Sequence, residues 1–480
     1  MISFPAGRLA GRFFRRFYRK EDRAMYGKIF HLTWPAFFEL FLSSLFGAVD
    51  LAMVGSLSPA AIAGVGITNQ PFFLLIAMFA AVNVGTTTLV SWSYGSGDLR
   101  KASYVLKQAV IINMAAGTVI SAAGAACSGL VMRVMSTDPD IIRYGTIYLR
   151  IICYGLMFQA VTMAISATLR GCGLTRLPMV YNLIANGANV IMNYLLIYGR
   201  FGFPAMGVRG AAIGTSISKA IALSIALWFV LFSKRSPVKI YLNTSWLLNR
   251  KVVADMLAIG LPAAGEQFVI QTGLLVFSRI VETLGVNAYA AHHVAASINS
   301  LAFSVSQAFS VSATALVGQS VGADEYDRAA RYTILTRRAA RLIAGGVAAS
   351  FIFLGGRIAL LYTKEADVLA LCMPLFWFIA AAQFIQSSQM STAGALRGAG
   401  DTMYPLYASI AGIWVFRIIL ASIFVFVFKW GLVGAWLSFF LDQCMRSFVV
   451  KRRFNSGRWR QMKAIKSERS RKREMKRFGA

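Results

Sequence analysis

Charged residues are scarce in this chain of 480 residues: they make up 14% of it, whereas hydrophobic residues make up 57%. A soluble chain of this size would carry roughly 25% charged residues. Too few charges remain to cover a water-facing surface, so much of the exterior has to face lipid. Runs of about twenty apolar residues, such as 72–91 and 111–131, support this conclusion. They do not alternate in polarity, so they predict transmembrane helices rather than a barrel.

The chain also has few residues that could form disulfides or bind metals. None of its five cysteines forms a CxxC pair, and its three histidines complete no ligand set. It contains no P-loop and no H-E-x-x-H motif. We therefore expect no disulfide framework, no zinc site, no cofactor and no enzymatic activity.

Acidic residues are scarcer than basic ones, 19 against 49, which gives a net charge of +30. The segments 1–28 and 451–480 contribute +6 and +11 of this excess. Because they flank apolar spans, we expect them to contact anionic lipid in the cytoplasmic leaflet rather than nucleic acid. Phe13 and Phe17, four positions apart among arginines, predict a short interfacial helix. An organelle transit peptide is the alternative for this segment.

Apolar runs predict an all-α integral membrane protein with about twelve transmembrane helices. The predicted spans are 29–53, 68–92, 105–130, 143–168, 176–199, 206–233, 254–283, 289–318, 332–362, 367–394, 403–429 and 431–450. An even number of spans places both chain termini on the same side of the membrane. Basic residues such as Arg100 and Lys101 follow the even-numbered spans, so both termini are predicted to be cytoplasmic in a multi-pass protein of the cell inner (plasma) membrane.

An internal repeat divides the chain into two six-helix halves. Three pairs of identical residues have the same spacing along the chain, which we call the repeat offset. They are Pro35 and Pro262, Gly95 and Gly322, and Pro178 and Pro405. Both halves have the same orientation, so they are parallel repeats with a central cleft between two lobes. The predicted divisions are a basic N-terminal segment (1–28), an N-lobe (29–233), a cytoplasmic linker (234–253), a C-lobe (254–450) and a basic tail (451–480).

Acidic residues inside the predicted spans are candidates for function, because each costs a few kcal/mol on insertion scales. Glu39 and Glu266 are separated by the repeat offset, and each lies four positions after the proline of its repeat. They predict either a symmetric pair of carboxylates facing the cleft or the gate, or two carboxylates that bind nearby arginines or backbone N–H groups. Glu282 and Asp442 lie near span ends, where we expect them to be wetted or paired with Arg446.

Asp50 lies eleven positions after Glu39, on the same helix face and about 16 Å further along the axis. Its equivalent in the second repeat is Phe277, so it has no acidic counterpart. A carboxylate in apolar surroundings needs a cation beside it, so Asp50 is a candidate carrier of H⁺ or Na⁺. The alternative is a residue at the outer headgroup interface.

Amide side chains form rows on several predicted helices. Asparagines in the fifth span lie on one stripe, which predicts either a polar wall of the N-lobe cavity beside Asp50 or hydrogen bonding between helices. Glutamines add polar groups to the C-lobe, and one of them, Gln307, could equally bond two helices together. Asn189 and Asn193 are predicted to form the ion site together with Asp50. The candidate residues of the substrate cavity are Asn182, Asn186, Gln271, Gln307, Gln383 and Gln386.

Several segments resemble the multidrug and toxic compound extrusion (MATE) family. They are WPAFFE at 34–39, GAVDLAMVG at 47–55, GQSVG at 318–322 and ALRGAGDT at 395–402. The similarity extends from about residue 29 to 450, in the order and spacing of a twelve-span double repeat. It implies V-shaped lobes and an antiporter driven by H⁺ or Na⁺.

The resemblance also implies roles for single residues. Asp50 corresponds to the family's first-helix coupling acid, and Asn189 to an asparagine of its fifth helix. Asn193 stands where several members carry an aspartate. Glu266 matches a seventh-helix glutamate of some bacterial branches, and Gln386 replaces a tenth-helix aspartate of another branch.

The sequence therefore predicts a monomeric antiporter that exports small organic molecules, cationic and drug-like, in exchange for H⁺ or Na⁺. Acids outnumber bases near the predicted cleft, which favours cationic substrates. One alternative is a flippase for lipids or lipid-linked sugars, which would require Arg150, Arg279 and Arg417 to converge on the cavity. The other is a receptor or scaffold that transports nothing.

Overall fold

The computed structural model describes residues 20–241, 246–360 and 362–464, which form twelve long helices and no strand. The predicted all-helical fold with two repeats is confirmed. The helices are α1 (Lys20–Gly55), α2 (Pro59–Gly95), α3 (Leu99–Met135), α4 (Pro139–Gly171), α5 (Arg176–Tyr198), α6 (Val208–Phe232), α7 (Arg250–Glu282), α8 (Val286–Gly322), α9 (Tyr326–Ala359), α10 (Ala366–Gly398), α11 (Met403–Val427) and α12 (Gly431–Asn455).

Eleven of these helices, α1 to α11, are long and apolar enough to cross a membrane. The protein is therefore a multi-pass membrane protein. Helix α12 is less apolar because Asp442, Gln443 and Arg446 lie in its middle. All three side chains are buried inside the protein, so α12 does not expose them to lipid.

Most helices extend one or two turns beyond the predicted spans, and several begin at a capping side chain. The carboxylate of Asp98 accepts a hydrogen bond from the Lys101 N–H at 2.9 Å where α3 begins. Asn249 caps α7 in the same way, so α7 begins at Arg250 and the linker ends four positions before the predicted one. The predicted interfacial helix at Phe13 and Phe17 lies outside the described residues, as does the end of the basic tail (465–480).

Helices α1 and α7 each connect the two six-helix lobes. The first half of α1 packs in the core of the C-lobe, where Ile29 is fully buried beside residues of α8 and α9. The first half of α7 packs in the core of the N-lobe, where Met256 is fully buried beside residues of α3. Ile29 and Met256 are separated by the repeat offset, so the two repeats exchange equivalent helix halves.

The turns that follow α4 and α10 show the same symmetry at the backbone. Gly173 has a φ angle of 82°, and its repeat equivalent Gly400 has a φ angle of 85°. A side chain at this backbone conformation would be strained, which explains why both repeats have glycine there. Both turns lie on the inner side, defined here as the side on which α1 begins and α12 ends. Sequence analysis predicts this side to be cytoplasmic.

Candidate functional site

Asp50 lies on α1 in the N-lobe, five positions before the outer end of this helix, and its side chain faces α5. The side-chain amide of Asn193 donates a hydrogen bond to Asp50 Oδ1. When the Asn189 amide is oriented to satisfy its neighbours, its nitrogen lies 2.7 Å from Asp50 Oδ1 and its oxygen accepts from the Thr215 hydroxyl at 3.3 Å. The carboxylate is half-buried, and both asparagines are buried. The structure thus brings together the three residues of the predicted ion site.

Asn193 directs its amide nitrogen toward Asp50 and its amide oxygen toward α6. Asn193 Oδ1 is buried and accepts no hydrogen bond from the described residues. Gly214 of α6 packs directly against this oxygen, and a side chain at position 214 would displace it. Carboxylate and amide oxygens are ligands for hard cations, and a carboxylate can also take up a proton. The Asp50 carboxylate is therefore the candidate position for a coupling ion.

A lysine that the sequence pattern does not single out lies next to this site. Lys219 lies on α6 one turn after Thr215, and it is close enough to Asp50 for the two charges to interact. Side chains on a helix point toward its N-terminus, so the Lys219 side chain points toward the level of Thr215 and Asp50. The sequence feature that could have identified Lys219 is an ionisable residue inside an apolar span of 25 residues.

The predicted stripe of asparagines faces α1, where it meets Glu39 and Asp50. Asn182 donates to Glu39 Oε1 at 2.7 Å, while Asn189 and Asn193 bond Asp50. Asn186, between these contacts, is half-buried. The stripe is therefore the face of α5 that packs against α1.

Glu39 and Glu266 form equivalent ion pairs, one in each lobe. Arg170 lies 2.7 Å from Glu39, and Arg397 donates from Nη2 to both oxygens of Glu266 at 2.8 Å. The polar neighbours are equivalent as well, since Asn182 bonds Glu39 and its repeat counterpart Ser409 bonds Glu266 at 3.3 Å. The contacts correspond to the second interpretation in the sequence analysis, in which each carboxylate binds an arginine of its own lobe.

Glutamines of the C-lobe form a smaller polar group between α8 and α10. The amide of Gln383 lies 3.2 Å from Asn299 and 3.4 Å from Gln386, and both glutamines are buried. Gln307 is half-buried, and its buried oxygen accepts no hydrogen bond among the described residues. Gln271 is half-buried on α7. The structure therefore brings Gln383 and Gln386 together.

A second charged group lies in the C-lobe, where Asp442 is fully buried between two arginines. Arg417 donates to Asp442 Oδ2 through Nε at 3.0 Å, and Arg446 Nε lies 3.3 Å from Oδ1. Arg417 belongs to a π-helical stretch of α11, a distortion that is frequent at functional sites. It also lies over the ring of Phe277, the C-lobe equivalent of Asp50. The predicted pairing of Asp442 with Arg446 is present, together with an arginine that sequence spacing did not indicate.

The three arginines expected of a flippase do not converge. Arg150 is exposed on α4 of the N-lobe, and Arg279 is exposed on α7, where it pairs with Glu282 at 2.7 Å. Arg417 is buried against Asp442 in the C-lobe. These positions do not favour the flippase alternative.

The two lobes contact one another in the inner halves of their helices. The Trp92 indole N–H donates to the Gly398 carbonyl at 2.8 Å, and the Gln319 amide donates to the Gly171 carbonyl at 2.9 Å. Thr33 and Ser312 join α1 to α8 through their hydroxyls, 2.7 Å apart. Every side-chain hydrogen bond that the structure describes between the lobes lies on this side, so the lobes are closed against each other at their inner end.

Comparisons with known proteins agree with this architecture. The sequence profile of the MatE family matches residues 35–195 and 262–423, two segments whose starts are separated by the repeat offset. The chain is 29% identical to a probable multidrug resistance protein NorM of Thermotoga maritima, over 95% of this chain and 98% of that protein. It is 27% identical to the multidrug resistance protein PmpM of Pseudomonas aeruginosa, over 82% of each chain.

Solved structures of MATE transporters share the fold. A MATE transporter in its outward-facing conformation superposes with a TM-score of 0.84 over 89% of this chain and 96% of that one, at 21% identity. A MATE structure in a bent conformation gives a TM-score of 0.83 over 92% and 97%, at 22% identity. The doubled match of the family profile covers more than half of the chain, and therefore this protein belongs to the MatE family of membrane transporters.

Proposed function

We propose that this protein is a secondary active antiporter that exports small, organic, cationic compounds of the drug-like class in exchange for H⁺ or Na⁺. One observation carries the proposal: Asp50 is held by two buried amides of α5, beside an amide oxygen that lacks a donor among the described residues. The names of the relatives, multidrug resistance proteins, support the substrate class. We further propose that the protein acts as a monomer in the plasma membrane, needs no cofactor, and has both termini in the cytoplasm.

The transport cycle that we propose moves the N-lobe (29–233) against the C-lobe (254–450). The closed inner end corresponds to a state in which the cleft is accessible from outside. Cation binding at Asp50 then changes the relative stability of the outward and inward states. Substrate leaves when this conformational change alters the geometry of its own binding site. A bound ion shifts this equilibrium only by the difference between its affinities for the two states.

The remaining candidate residues have two proposed roles. Glu39 and Glu266 hold the inner ends of the lobes through Arg170 and Arg397, because both carboxylates are buried and paired. The other amides form the polar wall of the cleft that contacts substrate. These proposed cavity residues are Asn182, Asn186, Gln271, Gln307, Gln383 and Gln386.

A flux assay in proteoliposomes tests the function. Purified protein is reconstituted, and uptake of a fluorescent organic cation is measured with a pH gradient and a Na⁺ gradient imposed separately. The proposal predicts accumulation driven by one gradient and abolished by its collapse. No flux with either gradient, across a panel of organic cations and anions, would contradict it and favour a receptor or scaffold.

A further inference from the structure

A cavity of about 630 Å³ lies on the inner side of the N-lobe, between the start of α3 and the linker that leads to α7. Three of its nine described lining residues are basic, namely Arg100, Lys107 and Lys239, and none of the nine is acidic. Among the described residues, the side chains of Arg100 and Lys239 form no ion pair. The charge of this cavity therefore suits an anion.

The walls of the cavity are held together by hydrogen bonds between α3 and the linker. The Lys107 ammonium donates to the Tyr241 carbonyl at 3.1 Å, and the Lys239 N–H donates to the Ser103 hydroxyl at 3.1 Å. Gln108 is fully buried, and it donates to the Leu247 carbonyl at 3.0 Å while accepting from the Asn249 N–H at 2.8 Å. The described parts of the linker, 234–241 and 246–249, are thus bonded to α3 on both sides of the cavity, so the basic groups have defined positions.

The rim of the cavity is apolar and exposed. Leu247 is 80% exposed, Leu248 is 49% exposed and Tyr104 is 40% exposed. Large apolar side chains at such exposure are unfavourable against water but favourable against acyl chains. The rim therefore suits a partner that has a hydrocarbon part as well as a charge.

The position of the cavity along α3 agrees with that of the membrane interface. Arg100 lies in the first turn of α3, and Lys107 lies about 10 Å further along the axis. The headgroup region on one side of a bilayer is roughly 5–7 Å thick, so the cavity extends from the headgroups to the start of the hydrocarbon. Lys107, which is 3% exposed and lies 4.4 Å from the Trp246 ring centroid, forms the deep end.

We propose that this cavity binds one anionic phospholipid of the adjacent leaflet, with the phosphate between Arg100 and Lys239 and an acyl chain along Leu247 and Leu248. A free phosphate compound would match the basic groups but would leave the apolar rim exposed to water. A zwitterionic lipid would match the rim but would bring its own cation to the three basic residues. The bound lipid would join the N-lobe to the linker. This inference does not depend on what the protein transports.

Lipid retention by the full-length protein in detergent tests the proposal. Phosphatidylglycerol and phosphatidylcholine with the same acyl chains are titrated against the protein, and bound lipid is counted by native mass spectrometry. The wild type should retain one phosphatidylglycerol more tightly than phosphatidylcholine. Equal retention of the two lipids would overturn the proposal.

Variants locate the binding position. Arg100→Gln and Lys239→Gln should each weaken phosphatidylglycerol binding about fivefold, which corresponds to about 1 kcal/mol per basic residue at an anionic surface. Lys101→Gln is the matched control, because Lys101 is an exposed basic residue of the same helix turn that does not line the cavity. A loss in Lys101→Gln equal to that in the two cavity variants would contradict a specific site. Lys107 is left intact because its bond to the linker supports the fold.

Two further measurements separate a lipid from a soluble anion. Glycerol phosphate, which has the headgroup charge without acyl chains, should fail to displace phosphatidylglycerol at equal concentration. Leu247→Gln, at an exposed position, should weaken phosphatidylglycerol binding and leave glycerol phosphate binding unchanged. Displacement by glycerol phosphate at equal concentration, or an unaffected Leu247→Gln variant, would refute the lipid and indicate a site for a soluble anion.

Discussion

The indole of Trp92 and the side-chain amide of Gln319 occupy equivalent positions in the two repeats, and each donates a hydrogen bond to the opposite lobe. Their acceptors, the carbonyls of Gly398 and Gly171, are repeat equivalents as well. The backbones approach closely at the same place, since Gly95 packs on Gln319 and Gly322 packs on Trp92. The inner closure therefore includes one contact that is made twice around the axis between the lobes.

Removing both donors should favour opening of the inner end. Each neutral hydrogen bond contributes about 1 kcal/mol net, so Trp92→Phe with Gln319→Leu should shift the ratio of closed to open states by roughly thirtyfold. Double electron–electron resonance between spin labels at Lys101→Cys and Lys451→Cys, in a chain whose native cysteines are replaced by alanine, measures the shift as a longer distance. Trp228→Phe, at a tryptophan exposed on α6, is the control and should leave the distance unchanged. An unchanged distance in the double variant would show that these bonds do not hold the closure.

The Glu266–Arg397 pair should contribute strongly to stability. Both side chains are almost fully buried, so Glu266→Gln leaves a buried arginine without its partner, at a cost of about 3–5 kcal/mol. Glu282→Gln is the matched control, because Glu282 and Arg279 are exposed and water screens the attraction between them. Thermal unfolding in detergent should show a much larger loss for Glu266→Gln. Equal losses would mean that the buried pair is not structural.

The equivalence of Glu39 and Glu266 could be predicted from the sequence, but the arginine that each carboxylate binds could not. The repeat offset identifies Glu39 and Glu266 as equivalents, and Arg170 and Arg397 are separated by the same offset. Nothing in the spacing along the chain shows that position 39 lies beside position 170, because that proximity depends on how α1 packs against α4 and α5. The sequence therefore predicts which residues are alike more readily than which residues touch.

The proposed ion site shows the same difference between what the sequence predicts and what it does not. Asp50, Asn189 and Asn193 were predicted to lie together because the asparagines share one helix stripe and Asp50 is an unpaired acid. Lys219 was missed because a single lysine in a long apolar span has no periodic pattern to reveal it. The π-helical distortion of α11 around Arg417 was not predictable either, since the segment reads as an ordinary apolar span.

Lys219 should weaken cation binding at Asp50, because a positive charge nearby disfavours a second one. Lys219→Gln should therefore lower the ion concentration for half-maximal efflux, by about tenfold if the two charges interact closely. Lys219→Arg retains the charge and should behave like the wild type. The measurement is transport rate against coupling-ion concentration in proteoliposomes. An unchanged half-maximal concentration in Lys219→Gln would remove this residue from the ion site.

Lys463 should fix the segment that follows α12 to the loop between α8 and α9. Its ammonium donates to the Val321 and Gly322 carbonyls at 3.1 Å and to Asp324 at 2.8 Å, and this contact lowers the pKa of the Asp324 carboxyl below its usual 3.8. Lys463→Met should increase amide hydrogen exchange in residues 456–464, with a local loss of about 1 kcal/mol or less. Lys451→Met, at an exposed lysine of α12, serves as the control and should not change exchange there.

The sign of the pH dependence follows from the lowered pKa of Asp324. The ion pair contributes at neutral pH, where the carboxylate is charged, and its contribution disappears as the pH falls through the lowered pKa. Exchange in the wild type should therefore approach that of Asp324→Asn in strong acid. A difference between these two proteins that persists at low pH would contradict the role of the ion pair.

The proposed coupling of ion movement to export depends above all on Asp50. Asp50→Asn keeps the size of the side chain but removes its charge. In proteoliposomes with an imposed pH or Na⁺ gradient, wild-type protein should accumulate an organic cation against its concentration gradient. The Asp50→Asn variant, folded to the same extent by thermal unfolding, should show no gradient-driven accumulation. Accumulation at the wild-type rate in this variant would contradict the account.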